Sequence, residues 1–248
     1  MHVEKLHLND QSLTVCQPAT NDGRLLETIV YYHGIGGEGI DELPLAYQLV
    51  SQGYRVILPD AYLHSQTDRV VRSKQNRHFF EIIDVTSQRL PLIYDWLKEQ
   101  TCEDHPVLHV GGTSMGGIIT AISLTQYPFI QRAALLMGTA KLTDFYYYIT
   151  ASIKNSDFPL SKIEEQQLLS HIATRDLSQN IDALNNRDLF IWHGEADDYV
   201  PFDLTEQFVE DLTESKRYQG RLTYIKEPNQ GHKVSRLAKE KCCEFFKY

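Results

Sequence analysis

Apolar and polar positions along this chain switch between a period of two and a period near 3.6, and the order of the switches predicts the architecture. Residues 25–33, LLETIVYYH, are an apolar run rich in β-branched and aromatic side chains that breaks at Gly34, Gly36, Gly37 and Gly39, the pattern of a buried strand entering a loop. Helical spacing over 42–52 stops at Gly53, and YRVILPD, 54–60, reads as a second buried strand. A longer helical stretch covers 76–100, where Pro91 starts a new segment or kinks the old one. VLHVG at 107–111 is a third strand, a helix runs from about Met115 to just before Pro128, and AALLMG at 133–138 is a fourth strand. LFIWHG at 189–194, a helix over 203–217, RLTYIKE at 221–227 and a last helix over 233–247 complete the series. Strands separated by helix-length segments predict an α/β fold, a mostly parallel sheet with helices on both faces.

Two short alternating segments, VEKLHL at 3–8 and SLTVCQ at 12–17, predict an antiparallel hairpin at one sheet edge and bring the count to about eight strands. Residues 139–188 are too many for an ordinary strand-to-helix connection and read as a helical insertion without a core of its own. The chain then divides into a core made of 1–138 and 189–248 and a lid or cap made of 139–188. The insertion opens with the aromatic cluster Phe145, Tyr146, Tyr147 and Tyr148, of which Phe145 and Tyr146 are candidates to line an apolar substrate pocket.

Charge narrows the partners. The 24 Lys and Arg against 33 Asp and Glu leave −9, a sign that repels a phosphate backbone and excludes nucleic acid as an expected partner. No apolar run approaches the roughly 20 residues needed to span a bilayer, and the opening MHVEKLHLND is charged where a signal peptide is apolar. The four cysteines, Cys16, Cys102, Cys242 and Cys243, are too irregular for a disulfide framework and form no CxxC pair, so a reducing cytoplasm is expected, with the adjacent pair packed in the last helix as free thiols.

The chemistry starts where the third strand ends. Gly112-Thr113-Ser114-Met115-Gly116 is a GxSxG sequence between a predicted strand and a predicted helix, the context in which that spacing has a mechanical meaning. A serine forced into a sharp turn crowds the residues two before and two after it, so both must be small. The turn raises the hydroxyl of Ser114 above the sheet at a helix N-terminus, where the Met115 N–H can face a developing oxyanion.

A serine hydroxyl needs a base, commonly a histidine oriented by a carboxylate. Of the 10 histidines, His232 in Gln230-Gly231-His232 follows the last strand and so lies at the same sheet edge as Ser114. His64, His78, His105, His109 and His171 follow no pattern that places them there, and His193, ending the fifth strand, is expected to make a structural hydrogen bond. The carboxylate is sought in HGEADDYVP, where spacing leaves Asp197 and Asp198 as equal choices. The loop His33-Gly34-Ile35-Gly36-Gly37 can bring a second N–H to the oxyanion, with Ile35 first and Gly36 second.

These residues resemble the α/β-hydrolase superfamily, and within it the prolyl-oligopeptidase-related branch of small bacterial carboxylesterases. The resemblance spans about 31–232 and rests on YYHGIGG, YRVILPDAYLHS, GGTSMGG, HGEADDYVP and QGH. It implies the α/β-hydrolase fold and places the catalytic acid on Asp197, the first Asp of the HGxxDxxVP pattern. It also implies oxyanion donors at Ile35 and Met115, a pocket rim near PDAYLH at 59–64, and a lid in the place of 139–188.

The expected activity is a serine hydrolase that cleaves carboxylic esters of short-to-medium acyl chains through an acyl-enzyme on Ser114, His232 and Asp197. Amide, peptide or thioester hydrolysis or acyl transfer is the alternative on the same triad, and a non-catalytic binding protein is the alternative from another class. No metal and no organic cofactor is required. The expected partner is a small-molecule ester, with no nucleic acid and no membrane, and the chain a monomer or homodimer.

Overall fold

In the computed structural model, which describes residues 1–20, 23–65, 78–152 and 161–247, the first alternating segments form the hairpin β1 (His2–Leu8) and β2 (Gln11–Gln17). The apolar runs then give β3 (Thr28–Tyr32), α1 (Leu43–Ser51), β4 (Arg55–Pro59), α2 (Phe79–Gln88), α3 (Leu90–Thr101) and β5 (Leu108–Thr113). There follow α4 (Met115–Gln126), β6 (Ile130–Leu136), α5 (Leu142–Ser152), α6 (Lys162–Ala173), β7 (Asp188–Gly194), α7 (Phe202–Glu214), β8 (Leu222–Glu227) and α8 (Arg236–Lys247). The strands make one eight-stranded sheet in the order β1-β2-β4-β3-β5-β6-β7-β8. β1–β2 and β2–β4 are antiparallel and every later pair is parallel.

That order places the site. From β3 the chain crosses outward to β4 and then returns to the other side of β3 as β5, so the loops leaving the carboxyl ends of β3 and β5 diverge to opposite faces. A crevice opens at such a reversal. The glycine-rich loop after β3 and the Ser114 turn after β5 are its two banks.

Each central strand is buried on both faces, and its alternate side chains feed separate cores. Val30 and Tyr32 of β3 and Leu189 and Ile191 of β7 pack with α2, α3, α4 and α7. Ile29, Tyr31, Phe190 and Trp192 face the other way, against Leu45 and Leu49 of α1 and Cys242 and Phe246 of α8. Full burial of one such large side chain contributes about 1.5–3 kcal/mol. Cys16, Cys242 and Cys243 are free and buried, and Cys102 is free and exposed. Phe145, Tyr146, Ile172, Leu177 and Leu184 join the first core, so the described part of 139–188 shares the core of the body. Residues 153–160 of that segment lie outside the described residues.

Several boundaries differ from the sequence reading. β3 begins at Thr28, because Leu25 is 62% exposed and only from Thr28 onward are both faces covered. The stretch 76–100, whose first two residues lie outside the described ones, divides at Arg89 into α2 and α3, with Pro91 in the first turn of α3, where its missing N–H costs no hydrogen bond. β5 continues past 111 to Thr113, carrying the sheet directly to Ser114. α8 starts at Arg236 rather than 233, which leaves 231–235 free to turn His232 toward the crevice.

Candidate active site

Ser114 has φ 57° and ψ −117°, a strained conformation for a residue with a side chain, and three contacts hold it there. Its N–H donates to Leu136 O of β6 at 2.8 Å, and its carbonyl accepts from Ile118 N–H at 3.1 Å in the first turn of α4. The third is steric. A Cβ on Gly112 would stand 2.3 Å from the Gly116 carbonyl, and one on Gly116 would stand 2.1 Å from Tyr32 O, so only glycine lets β3, β5 and α4 meet.

A continuous relay leads away from this turn. Ser114 Oγ lies 2.8 Å from His232 Nε2, and His232 Nδ1 lies 2.7 Å from Asp197 Oδ2. A carboxylate only accepts, so Nδ1 carries the ring proton and Nε2 is left as an acceptor facing the Ser114 hydroxyl. Asp197 is buried, and its other oxygen accepts from the N–H groups of Tyr199 at 3.0 Å and Val200 at 3.1 Å. His193 Nε2 stands 3.2 Å from Oδ2, while its Nδ1 meets Thr205 Oγ1 at 2.8 Å. Burial alone would raise the Asp197 carboxyl, but hydrogen bonds from His193 and His232, the attraction of His232 and the Val200 N–H together hold it well below the usual carboxylate range.

Asp198, the equal choice on spacing, points its chemistry elsewhere. Its backbone carbonyl accepts from the Tyr148 hydroxyl at 2.6 Å, and no bond to His232 is made. Gly36, the second choice for the oxyanion, is also committed, since its N–H donates to His64 Nε2 at 3.0 Å. The N–H groups of Ile35 and Met115 have no hydrogen-bond partner among the described residues, and both residues border the cavity over Ser114.

That cavity has a volume of about 310 Å³ and is lined by Ile35, Phe79, Met115, Ile118, Phe145, Tyr148, Ile149, Tyr199 and Val200 together with Ser114, Asp198 and His232. Its walls are apolar, with polar groups at one end. Phe145 lies where the sequence predicts, but Tyr146 does not line the cavity. It is 2% exposed, packs its ring 5.4 Å from Phe80 and donates its hydroxyl to Glu165 Oε1 at 3.2 Å. The helical repeat explains the correction: Phe145, Tyr148 and Ile149 share one face of α5, and Tyr146 is turned toward α2 and α6.

Sequence reasoning also leaves Phe79, Ile118 and Tyr199 unnamed. The Tyr199 ring stacks on His232 at 5.3 Å, and the expected structural bond of His193 is present. Among the described residues no helix is long and apolar enough to cross a membrane, and no group of three or more His, Cys, Asp or Glu could hold a metal ion.

The sequence model of the prolyl oligopeptidase family matches residues 85–246. Over 230 residues the chain is 29% identical to YitV of Bacillus subtilis (strain 168), provisionally named an esterase, covering 91% of this chain and 90% of that protein. It is 25% identical over 255 aligned residues to esterase YjfP of Escherichia coli (strain K12), covering 100% of this chain and 98% of that protein. The solved structure of TT1662 from Thermus thermophilus superposes with a TM-score of 0.76 at 19% identity, covering 99% of this chain and 96% of that one. The last likeness concerns the fold, an α/β-hydrolase sheet.

Proposed function

The chain belongs to the prolyl oligopeptidase family, and from that premise we propose that it is a serine hydrolase of the esterase type, acting on neutral carboxylic esters of short-to-medium acyl chains. Ser114 Oγ attacks the ester carbonyl as His232 Nε2 takes its proton, and the carbonyl oxygen, now an oxyanion, is held by the N–H groups of Ile35 and Met115. His232 returns the proton to the departing alkoxide, leaving an acyl group on Ser114. A water, deprotonated by the same ring, then attacks the acyl carbon, and the proton goes back to Ser114 as the acid leaves. Asp197 stays ionised throughout, fixing the tautomer of His232 and stabilising its cationic form.

The observation that carries this reading is the relay of 2.8 Å and 2.7 Å that ends inside an apolar cavity. The substrate class follows from the lining. Among the described residues no Lys or Arg borders the cavity, so none of them offers a cationic partner to a substrate carboxylate or phosphate, and the net charge of −9 disfavours anions in general. The α5–α6 segment acts as the cap, its face at Phe145, Tyr148 and Ile149 limiting the acyl length.

The test is a panel of acetyl to dodecanoyl 4-nitrophenyl esters together with labelling by a fluorophosphonate probe. Wild type is labelled and prefers the shorter half of the panel, whereas Ser114→Ala is unlabelled and loses at least about 10⁴-fold in kcat. Labelling of both proteins, or turnover that survives in Ser114→Ala, overturns the assignment. Rates that climb steadily to the longest ester overturn the chain-length part alone.

A further inference from the structure

Two buried histidines stand outside the relay, one in each loop that leaves β3 and β4. His33 and His64 are 1% and 0% exposed, with ring centroids 5.2 Å apart. Each reaches into the other's loop. His33 Nε2 accepts from the Ala61 N–H at 3.0 Å, and His64 Nε2 accepts from the Gly36 N–H at 3.0 Å. A backbone N–H only donates, so both Nε2 atoms are unprotonated and each neutral ring carries its proton on Nδ1. The remaining bonds agree: Nδ1 of His33 donates to Gly34 O at 2.7 Å, and Nδ1 of His64 donates to Tyr62 O at 2.9 Å. The Gly39 N–H, which donates to Asp60 Oδ1 at 2.8 Å, adds a third tie between the same loops.

The ties fall beside the place where charge develops in the reaction. Gly34 is close enough to the nucleophile turn that a Cβ there would lie 3.6 Å from Ser114 Cβ, and Gly36 has a φ of +78°. With the Gly36 N–H taken by His64, the amide next to it, that of Ile35, is left without a partner among the described residues, and Ile35 borders the cavity. We propose that His64 and His33 are positioning residues, whose reciprocal acceptor bonds hold the loop 33–37 in register with Ser114 so that the Ile35 N–H meets the oxyanion.

This rests on the hydrolase reading above. Burial pushes the His33 ring down to about 4; the Gly34 carbonyl opposes that shift, the neighbouring His64 adds to it, and Asp60 and Asp41 oppose it. The acceptor nitrogen of His33 is therefore open at neutral pH. Oxyanion donors act through placement, and an error of about 1 Å costs about 10²-fold in rate.

The experiment compares His64→Met, which keeps bulk but removes the acceptor, with His64→Gln, whose Oε1 can take the place of Nε2. With 4-nitrophenyl butyrate, His64→Met is expected to lose about 10- to 100-fold in kcat with KM within about twofold. A trifluoromethyl ketone that captures Ser114 as a tetrahedral adduct should weaken by the same factor, and His64→Gln should return kcat to within about threefold of wild type. Wild-type kcat in His64→Met, a loss confined to KM, or failure of His64→Gln to recover overturns the proposal. Ring ¹⁵N shifts of the wild-type protein test it without a variant: Nδ1–H with bare Nε2 is expected at both rings, and a proton on either Nε2 overturns it. A wild type that neither hydrolyses esters nor reacts with a fluorophosphonate brings down the hydrolase reading and this one with it. An active wild type with unchanged His64 variants brings down this one only.

Discussion

On one side of the cavity Gly112 and Gly116 bring three backbone segments together so closely that a single Cβ would stand 2.1 to 2.3 Å from a carbonyl; on the other side α5 presents the side chains of Phe145, Tyr148 and Ile149. The first side, which holds Ser114 and the loop 33–37, is shaped by main chain. It has no room for a change of size. The second is shaped by what one helix face happens to carry, and a different residue there alters the cavity without moving the backbone. On the proposed function, reaction chemistry and acyl selection therefore rest on parts with different tolerance to substitution.

The largest expected effect comes from the relay that reaches Ser114 on the main-chain side. Asp197→Asn places an amide opposite two N–H donors, His232 Nδ1 and His193 Nε2, so the ring of His232 is driven toward the wrong tautomer. kcat/KM should fall by about 10³- to 10⁴-fold. Steady-state kinetics on one ester decides it, and a loss below tenfold would move the acid role away from Asp197. Gly116→Ala follows, because its Cβ would meet Tyr32 O at 2.1 Å and His33 O at 2.9 Å. Neither neighbour is the flexible end of a side chain, so the variant should lose at least about 3 kcal/mol in urea unfolding or fail to accumulate as folded protein. A stable Gly116→Ala would show that this side is softer than its contacts imply.

The same contrast explains what was legible in the sequence. The GxSxG spacing reports a steric rule among neighbours in the chain, and β5 to α4 obeys it to the residue. Strand order along the chain is legible for a similar reason, since period and burial act locally. Asp197 and Asp198 were inseparable by spacing because both sit in one turn. The deciding feature is that Asp197 Oδ1 accepts from the N–H groups two and three residues on, a turn preference of Asp that HGEADDYVP shows in outline. An aromatic run does not report the phase of its helix, which α2 and α6 set by packing, so the sequence does not show that Tyr146 turns away from the cavity. The His33–His64 clasp joins residues 31 positions apart through two loops, and no periodicity carries such a pairing.

Acidification sharpens the comparison on the main-chain side. In the fold His33 takes up its proton only near pH 4, against an ordinary value of 6.5. Between those values the unfolded chain protonates this histidine and the native protein does not, so the contribution of His33 to stability falls as pH falls from about 6.5 to about 4, by up to about 3 kcal/mol. Asp197 has the opposite character: its carboxyl is held low, so its contribution is present above its ordinary value of 3.8 and is lost only below it. The window from 6.5 to 4 is where His33 acts, alongside His109, whose ring burial also lowers, and against Glu42, whose carboxyl burial pushes up to about 7. From pH 7 to pH 5 the urea midpoint of wild type should move further downward than that of His33→Gln, which cannot titrate; an identical change in both would remove His33 as a cause.

The smallest expected effects lie on α5, and there two tyrosines two positions apart give the sharpest contrast. The Tyr148 hydroxyl donates to Asp198 O at 2.6 Å, tying the helix to the loop that holds Asp197, and its ring stacks on Phe145 at 6.3 Å against the cavity. The Tyr146 hydroxyl donates to Glu165 on α6, away from the cavity. Each Tyr→Phe change deletes the hydrogen bond named and keeps the ring, and the loss of that bond should cost about 1 kcal/mol of stability or less. Only Tyr148→Phe should reach the kinetics, raising KM by about two- to threefold with kcat kept, because it frees the cavity wall and leaves the relay in place. If Tyr146→Phe changes KM as much as Tyr148→Phe does, the face of α5 that meets the substrate is not the one carrying Phe145 and Ile149. In that case the wall, and not only its side chains, must shift when substrate binds.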